Sequence, residues 1–226
     1  MAKTYAIAID GPAGAGKSTI AKRLAKEMGY YYVDTGAIYR TVAYFMDLLG
    51  VSPKDVDGVE RYIDELNIQI EYDEDGLQHM IMNGMDVTGE IRTQDISQKA
   101  SLVSAHAVVR EALLDMQQEV ARNYNVIMDG RDIGTVVLPK ADVKIFLTAT
   151  PEVRAKRRCD ELNAKGLKSN FEQVLKEIQQ RDYQDTHREI APLKMARDSV
   201  KLDTSELDID GVIAAMRKIV EEKIPL

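Results

Sequence analysis

Residues 5–19 read Tyr5-Ala-Ile-Ala-Ile-Asp10-Gly11-Pro12-Ala13-Gly14-Ala15-Gly16-Lys17-Ser18-Thr19, and the order of residue types in this stretch decides the fold. The apolar run over 5–10 reads as a short buried strand, stopped by Gly11-Pro12. From Lys17 onward Ile20, Ala21, Leu24, Ala25 and Met28 recur at helical spacing, and Gly29 is placed to cap that helix. Between strand and helix stands G-x-x-x-x-G-K-S without a mismatch. Its glycines let consecutive backbone N–H groups turn toward an anion, and the helix that follows adds the positive end of its dipole. Lys17 offers a point charge to β- and γ-phosphates, and the Ser18 hydroxyl is placed to ligate Mg²⁺. Gly11, Pro12, Ala13, Gly14, Ala15, Gly16, Lys17, Ser18 and Thr19 are thus candidate nucleotide-binding residues. A chance glycine-rich turn would not also bring the strand and the helix to their proper places. The loop identifies a nucleotide site and leaves the reaction open.

Outward from the loop, residues 31–33, 126–128, 143–147 and 200–202 read as further short apolar strands. Helical patterns over 37–49, 108–123, 152–164, 171–186 and 209–223 separate them. Such alternation implies crossover connections and a parallel sheet covered on both faces, so the class is α/β. One stretch departs from it. Residues 68–72 alternate apolar and polar, 73–76 (DEDG) form a turn signal, and 80–82 resume an extended pattern. This predicts a small antiparallel unit over about 67–90, inserted between helices near the mouth of the sheet.

With 226 residues, 45% hydrophobic and 30% charged, the chain is long enough to bury its own core and has an ordinary globular composition. A net charge of −7 argues against broad binding to nucleic acid or anionic membrane, although a basic pocket inside an acidic molecule is compatible with it. Cys159 is the only cysteine, so neither an internal disulfide nor a multi-cysteine metal cluster can form. The segment from Met1 enters the first strand without an apolar signal region, and no spanning apolar stretch follows. The expectation is a cytoplasmic monomer acting on small molecules.

Phosphate loops serve kinases, GTPases and motor ATPases alike. The guanine-reading N-K-x-D segment of GTPases is missing, as is the L-S-G-G-Q signature of transporter ATPases. The chain instead carries arginines at element ends: Arg40, Arg92, Arg110, Arg131, Arg154, Arg157, Arg158, Arg181 and Arg188. Any one of them alone is most simply a solvated surface residue. Beside a phosphate loop, however, arginines are what phosphoryl transfer needs, because they grip phosphates bidentately and neutralise migrating charge. Three constellations stand out. In Asp34-Thr35-Gly36-Ala-Ile-Tyr-Arg40 a turn opens a helix with Arg40 one turn inside it. In Val126-Ile-Met-Asp129-Gly130-Arg131-Asp132-Ile-Gly134 an apolar strand ends in an aspartate suited to hold Mg²⁺ through water. Arg181, Asp185 and Arg188 are spaced to share one helical face. The first two lie at carboxyl ends of strands, where open α/β sheets bind ligands.

Together with Gly89-Glu-Ile-Arg92-Thr, Val109-Arg110-Glu-Ala-Leu, Asp129-Gly-Arg-Asp-Ile-Gly-Thr135 and Arg181-Asp182…Ala191-Pro-Leu193, these segments resemble the bacterial cytidylate kinases, in the same order and over nearly the whole chain. The resemblance implies a fold like that of P-loop nucleoside monophosphate kinases. It would have a five-stranded parallel sheet flanked by helices, an antiparallel insert in the monophosphate-binding lobe, and a short lid. It divides a single kinase unit into a core (1–35, 106–150 and 190–226), a monophosphate lobe (about 36–105) and a lid (about 154–170). It also implies transfer from ATP, with Mg²⁺ at Ser18 and, via water, Asp129, to CMP or dCMP. Thr35, Arg40 and Arg131 would hold the acceptor phosphate; Ser101, Arg110, Asp132 and Arg188 would surround the cytosine and its phosphate. Arg181 and Asp185 would meet the ribose, and Lys17, Arg131, Arg157 and Arg188 would carry catalysis, with Arg154, Arg157 and Arg158 in the lid. Thr35 stands where the family often has serine, which preserves the hydroxyl. The alternatives are a kinase for UMP, dTMP or a non-nucleotide alcohol such as shikimate, and a regulatory nucleotide-binding module. The chain has no Gly-Gly pair, against the shikimate reading, and it keeps Lys17 and the arginines, against the regulatory one.

Overall fold

A computed structural model describes residues 3–224; residues 1, 2, 225 and 226, which the sequence reading included in the core, lie outside the described residues. The core is a parallel sheet of β1 (Ala6–Asp10), β2 (Tyr31–Asp34), β6 (Val126–Gly130), β7 (Val143–Thr148) and β8 (Val200–Asp203), in the order β2-β6-β1-β7-β8. Every pairing in it is parallel. Period-two alternation divides these apolar strands between two cores. Ile7, Ile9, Ile127 and Ile145 face α1 (Lys17–Met28) and α8 (Ile209–Glu221), packing against Ile20, Leu24, Val212 and Met216. Ala8, Val33, Val126 and Met128 face the opposite side, where α2 (Thr35–Leu48) and α5 (Ala107–Asn123) supply Ile38, Val42, Val109 and Leu113.

Gly11 makes the turn out of β1 possible. Its φ is +151°, and a Cβ there would sit 1.9 Å from the carbonyl oxygen of Leu147 on β7. No side chain fits that approach of two backbones.

Between α2 and α5 lie α3 (Val56–Ile63), a three-stranded antiparallel sheet and α4 (Gln94–Val103). The sheet runs β3 (Ile68–Tyr72), β4 (Gln78–Met82), β5 (Met85–Asp86), and Met80 and Met82 plug it into the core under α2. The predicted hairpin is thus present and gains a third strand through Asn83-Gly84, whose φ values of 48° and 83° form the tight two-residue turn that favours these residues. The insert also covers a vulnerable edge. β2 ends the large sheet, so its outer N–H and C=O groups have no strand to pair with. Tyr72 and Gln78, opposite each other in the β3–β4 register, take their place: the Tyr72 hydroxyl donates to the Tyr32 carbonyl (3.0 Å), and the Asp34 N–H donates to Gln78 Oε1 (2.7 Å).

α6 (Pro151–Ala164) and α7 (Phe171–His187) form a hairpin with a small core of their own, built from Ala155, Cys159, Val174 and Ile178. Cys159 is accordingly a buried packing residue. Among the described residues no helix is long and apolar enough to cross a membrane.

Candidate active site

The carboxyl ends of β1, β2 and β6 converge around the glycine loop. Gly16 in left-handed conformation starts α1 without a side-chain cap, which leaves the first-turn N–H groups facing the loop. Lys17 is buried, and its Nζ donates to the Pro12 carbonyl at 2.9 Å. Burial and the nearby charge of Arg131 push its pKa down, a pressure that a bound polyphosphate would reverse. The Ser18 hydroxyl donates to Asp129 Oδ2 at 3.0 Å, while Asp129 Oδ1 accepts from the Tyr32 hydroxyl at 2.7 Å. A hydroxyl and a carboxylate side by side form a hard-oxygen donor pair. Mg²⁺ characteristically takes one or two such protein oxygens and fills its shell with phosphate and water. The two residues predicted for magnesium are therefore adjacent and chemically suited to it.

A second aspartate organises the turn after β6. Asp10 is buried, accepting from the N–H of Ile133 at Oδ1 and of Gly134 at Oδ2, both at 2.7 Å. Burial raises its pKa to about 6, against the lowering effect of those two bonds. The chain continues as one π-type turn over Ile133–Val137, and this presents Arg131 and Asp132 to the mouth of the sheet. Gly130 allows the close packing there, since a Cβ would meet Thr35 Oγ1 and Ile133 Cδ1 at 2.7 Å each. Thr35 uses that hydroxyl to reach the Asp129 carbonyl (2.7 Å).

The arginines gather in two groups. In the first, Arg131 Nε donates to Asp185 (2.7 Å), and Arg181 and Arg40 are close enough to act on one another electrostatically. Burial opposes the charge on Arg131, but Asp185 beside it more than restores it; Asp185 in turn is held below the usual carboxylate range, its own burial outweighed by Arg131, Arg181 and Arg188. Arg40 Nη2 donates to Asp34 (2.9 Å). The Nε atoms of Arg40 and Arg181 are buried with no partner among the described residues. Burial, aided by Arg131, lowers the Arg181 pKa to about 10. In the second group both oxygens of buried Asp132 are taken, one by Arg110 and the other by Arg188 (3.2 Å). Arg110 also donates to the Ser104 carbonyl (3.1 Å) and lies over the Tyr39 ring, 5.5 Å from its centroid.

Three of the expected groups are placed as follows. Arg188 is the C-cap of α7, its N–H still bonded to the Gln184 carbonyl (3.1 Å), and its charge acts on Asp185 one turn earlier. It is extended at the end of α7, where its Nε donates to the carbonyl of Ala191, a residue with φ of 48°. Ser101 lies in α4, its carbonyl taking the hydroxyl of the cap residue Ser104 (2.9 Å), and Ser104 in turn contacts Arg110 and Arg188. The arginines expected in the lid make bonds within the chain. Arg157 donates to the carbonyls of Thr204 and Leu207 beyond β8, and Arg158 pairs with Glu161 on the surface. Arg154 binds the loop from outside, through the Ala13 carbonyl (3.0 Å) and a fork to Asp182 (2.9 and 2.5 Å). Asp10, Gln78 and Ser104 escaped the sequence reading, for they belong to no motif and act across long chain separations. The three histidines lie outside the arginine groups: His79 is paired with Asp86 and Asp73, His106 bonds the Pro53 carbonyl, and His187 stacks on Tyr183.

A family model described as "Cytidylate kinase" matches residues 7–222. The chain belongs to the cytidylate kinase family. A cytidylate kinase from Ligilactobacillus salivarius is 48% identical over 223 residues, 99% of each chain. One from Exiguobacterium sp. is 46% identical over 222 residues, covering 98% of this chain and 99% of the relative. Among solved structures, an uncharacterized protein from Eubacterium ventriosum aligns with a TM-score of 0.51 at 13% identity, over 96% of this chain and 99% of that one; this likeness concerns the fold alone. The arginine groups described above thus lie in a member of this family that aligns over 99% of both relatives.

Proposed function

We propose that this chain transfers the γ-phosphoryl group of ATP to CMP and dCMP, giving ADP with CDP or dCDP. The observation that carries the reading is the pairing of a phosphate loop with two arginine groups, one half-buried and one buried, at one sheet mouth, in a member of this family. ATP would lie along Gly11–Thr19 with Lys17 at its β- and γ-phosphates. Ser18 and Asp129 would hold Mg²⁺, which when bound offsets phosphate charge. The acceptor phosphate would sit among Thr35, Arg40 and Arg131, with Arg181 and Asp185 toward the ribose. Arg110, Asp132 and Arg188, with Ser104 and Ser101 beside them, would line the base. The division into core, monophosphate lobe and lid goes with this placement, the lid being residues of about 154–170, in α6 and the turn that follows it.

An oxygen of the acceptor phosphate attacks the γ-phosphorus. The bond from that phosphorus to the β–γ bridging oxygen breaks, and its electron pair leaves on ADP. A phosphate oxygen is nucleophilic at neutral pH, so no general base is required; alignment and charge stabilisation do the rest. Lys17 and Arg131 act on the charge that develops on the migrating group, and closure over the site would keep out water, the competing acceptor. The test is ADP release by the purified protein with ATP and Mg²⁺ across CMP, dCMP, UMP, dTMP and shikimate. Turnover concentrated on CMP and dCMP is expected; a better rate on any other acceptor would overturn the assignment.

A further inference from the structure

The three-stranded insert reaches β2 through Tyr72 and Gln78, and Gln78 bonds the site residue Asp34. Gln78, 7% exposed, extends its carboxamide along the free edge of β2, where Oε1 accepts the Asp34 N–H at 2.7 Å and Nε2 approaches the Asp34 carbonyl at 3.4 Å. One side chain thereby stands in for the strand that β2 lacks on that side. Asp34 is the residue whose carboxylate does two things at once: Oδ1 caps α2 through the Ala37 N–H, and Oδ2 accepts from Arg40 Nη2, each at 2.9 Å. Beside the carboxamide lies a cavity of about 180 Å³ lined by Lys22, Tyr32, Asp34, Gln78, His79 and Arg92, and Nε2 also donates to Met80 Sδ at 2.9 Å. The Asp34 backbone is therefore held on its outer side by Gln78, and the Arg40 guanidinium is aimed by Asp34.

We infer that Gln78 is a positioning residue for acceptor binding, acting through Asp34 on the direction in which Arg40 presents its unpartnered Nε. The inference rests on the placement of the acceptor phosphate at Arg40 proposed above. Tyr72 provides an internal comparison, since its hydroxyl binds the same edge at Tyr32, a residue with no bond to Arg40.

The experiment is a double-mutant cycle between Gln78→Met and Arg40→Met, read as separate KM values for CMP and ATP together with thermal unfolding. Gln78→Met is expected to raise KM for CMP about tenfold, as a displaced binding group does, while KM for ATP and kcat stay within about twofold. In the Arg40→Met background the same change should move KM for CMP by less than about twofold. Tyr72→Phe should lower the melting temperature without raising KM for CMP. Gln78→Asn, whose amide is one methylene too short to span to Asp34, carries the same measurement if the methionine variant does not fold. An unchanged KM for CMP, an equal rise in both backgrounds, or an equal rise from Tyr72→Phe overturns the role of Gln78. If Arg40→Met alone leaves KM for CMP unchanged, the placement of the acceptor phosphate falls first and takes this inference with it.

Discussion

Replacing Asp132 by asparagine keeps the side chain's shape and removes the one negative charge between Arg110 and Arg188. All three side chains are at least nine-tenths buried, so water cannot compensate the loss. Breaking a buried ion pair by removing one partner costs about 3–5 kcal/mol. An asparagine oxygen still accepts from one guanidinium, which places the expected loss near the lower end, at about 3 kcal/mol. For a chain of this length that corresponds to a fall of about 6–12 °C in melting temperature. The same substitution bears on base choice. A carboxylate only accepts hydrogen bonds and so suits the 4-amino group of cytosine, whereas a carboxamide can donate to the 4-carbonyl of uracil. The ratio of kcat/KM for CMP over UMP should therefore shrink by about 5- to 150-fold, equivalent to about 1–3 kcal/mol. Thermal unfolding and both acceptors are to be measured on the one variant. A melting temperature within 2 °C (on the order of 0.5–1 kcal/mol) of the parent refutes the energetic importance of the triad. An unchanged CMP-to-UMP ratio refutes a part for Asp132 in reading the base and leaves it as a brace between two arginines.

Lys17→Ala should lower kcat by on the order of 10²–10³ with the melting curve preserved, and a variant keeping a tenth of parental kcat contradicts the role given to Lys17. Gly11→Ala should destabilise more than the 1–3 kcal/mol or so typical of an overpacked core, because its Cβ would overlap the Leu147 carbonyl. Gly16→Ala, at φ +87° but with no atom within 4 Å of its Cβ, should cost only about 1–2 kcal/mol; denaturant titrations that reverse this ranking contradict the backbone geometry. Asp10 has a folded pKa of about 6 against an ordinary value of 3.8, so the folded chain holds the extra proton between those values. Its contribution to stability is fully present below about pH 4 and declines as pH rises through about 6. The stability difference between the parent and Asp10→Asn, followed from pH 4 to 7, should show this slope, and a flat difference refutes it.

The parallel strands and α1 are legible in the sequence because strands buried on both faces are plain apolar runs and α1 carries both its spacing and its glycine cap. The expected helix over 17–28 and the observed Lys17–Met28 coincide, and each core strand differs by at most two residues at an end. α3 and α4 were not predicted. They are short, and their buried positions answer to the insert and to α2 rather than to a long amphipathic stripe of their own. The third strand of the insert had a signal in Asn83-Gly84 that an expectation of one hairpin passed over. Within the site, motif residues were found because spacing marks them. The destinations of Arg157 and Arg188 were not, since a guanidinium goes where free carbonyls are: only the tertiary fold puts Thr204 within reach of Arg157, and the Ala191 carbonyl meets Arg188 through a local turn with φ of 48° that no motif announces.

The two buried N–H groups of Arg40 and Arg181 that find no acceptor among the described residues make the site locally frustrated. A buried donor left unpaired costs about 1–3 kcal/mol, and here the cost falls on the folded chain until a substrate arrives. A phosphate that brings acceptors to these donors gains affinity from strain already in place, so binding should raise the melting temperature more steeply than its contact area suggests. The same frustration sets a direction for drift. A lineage selected only for resistance to heat, with catalysis relaxed, would shed Arg40 and Arg181 early, because their replacement by apolar residues relieves the fold where it is least satisfied.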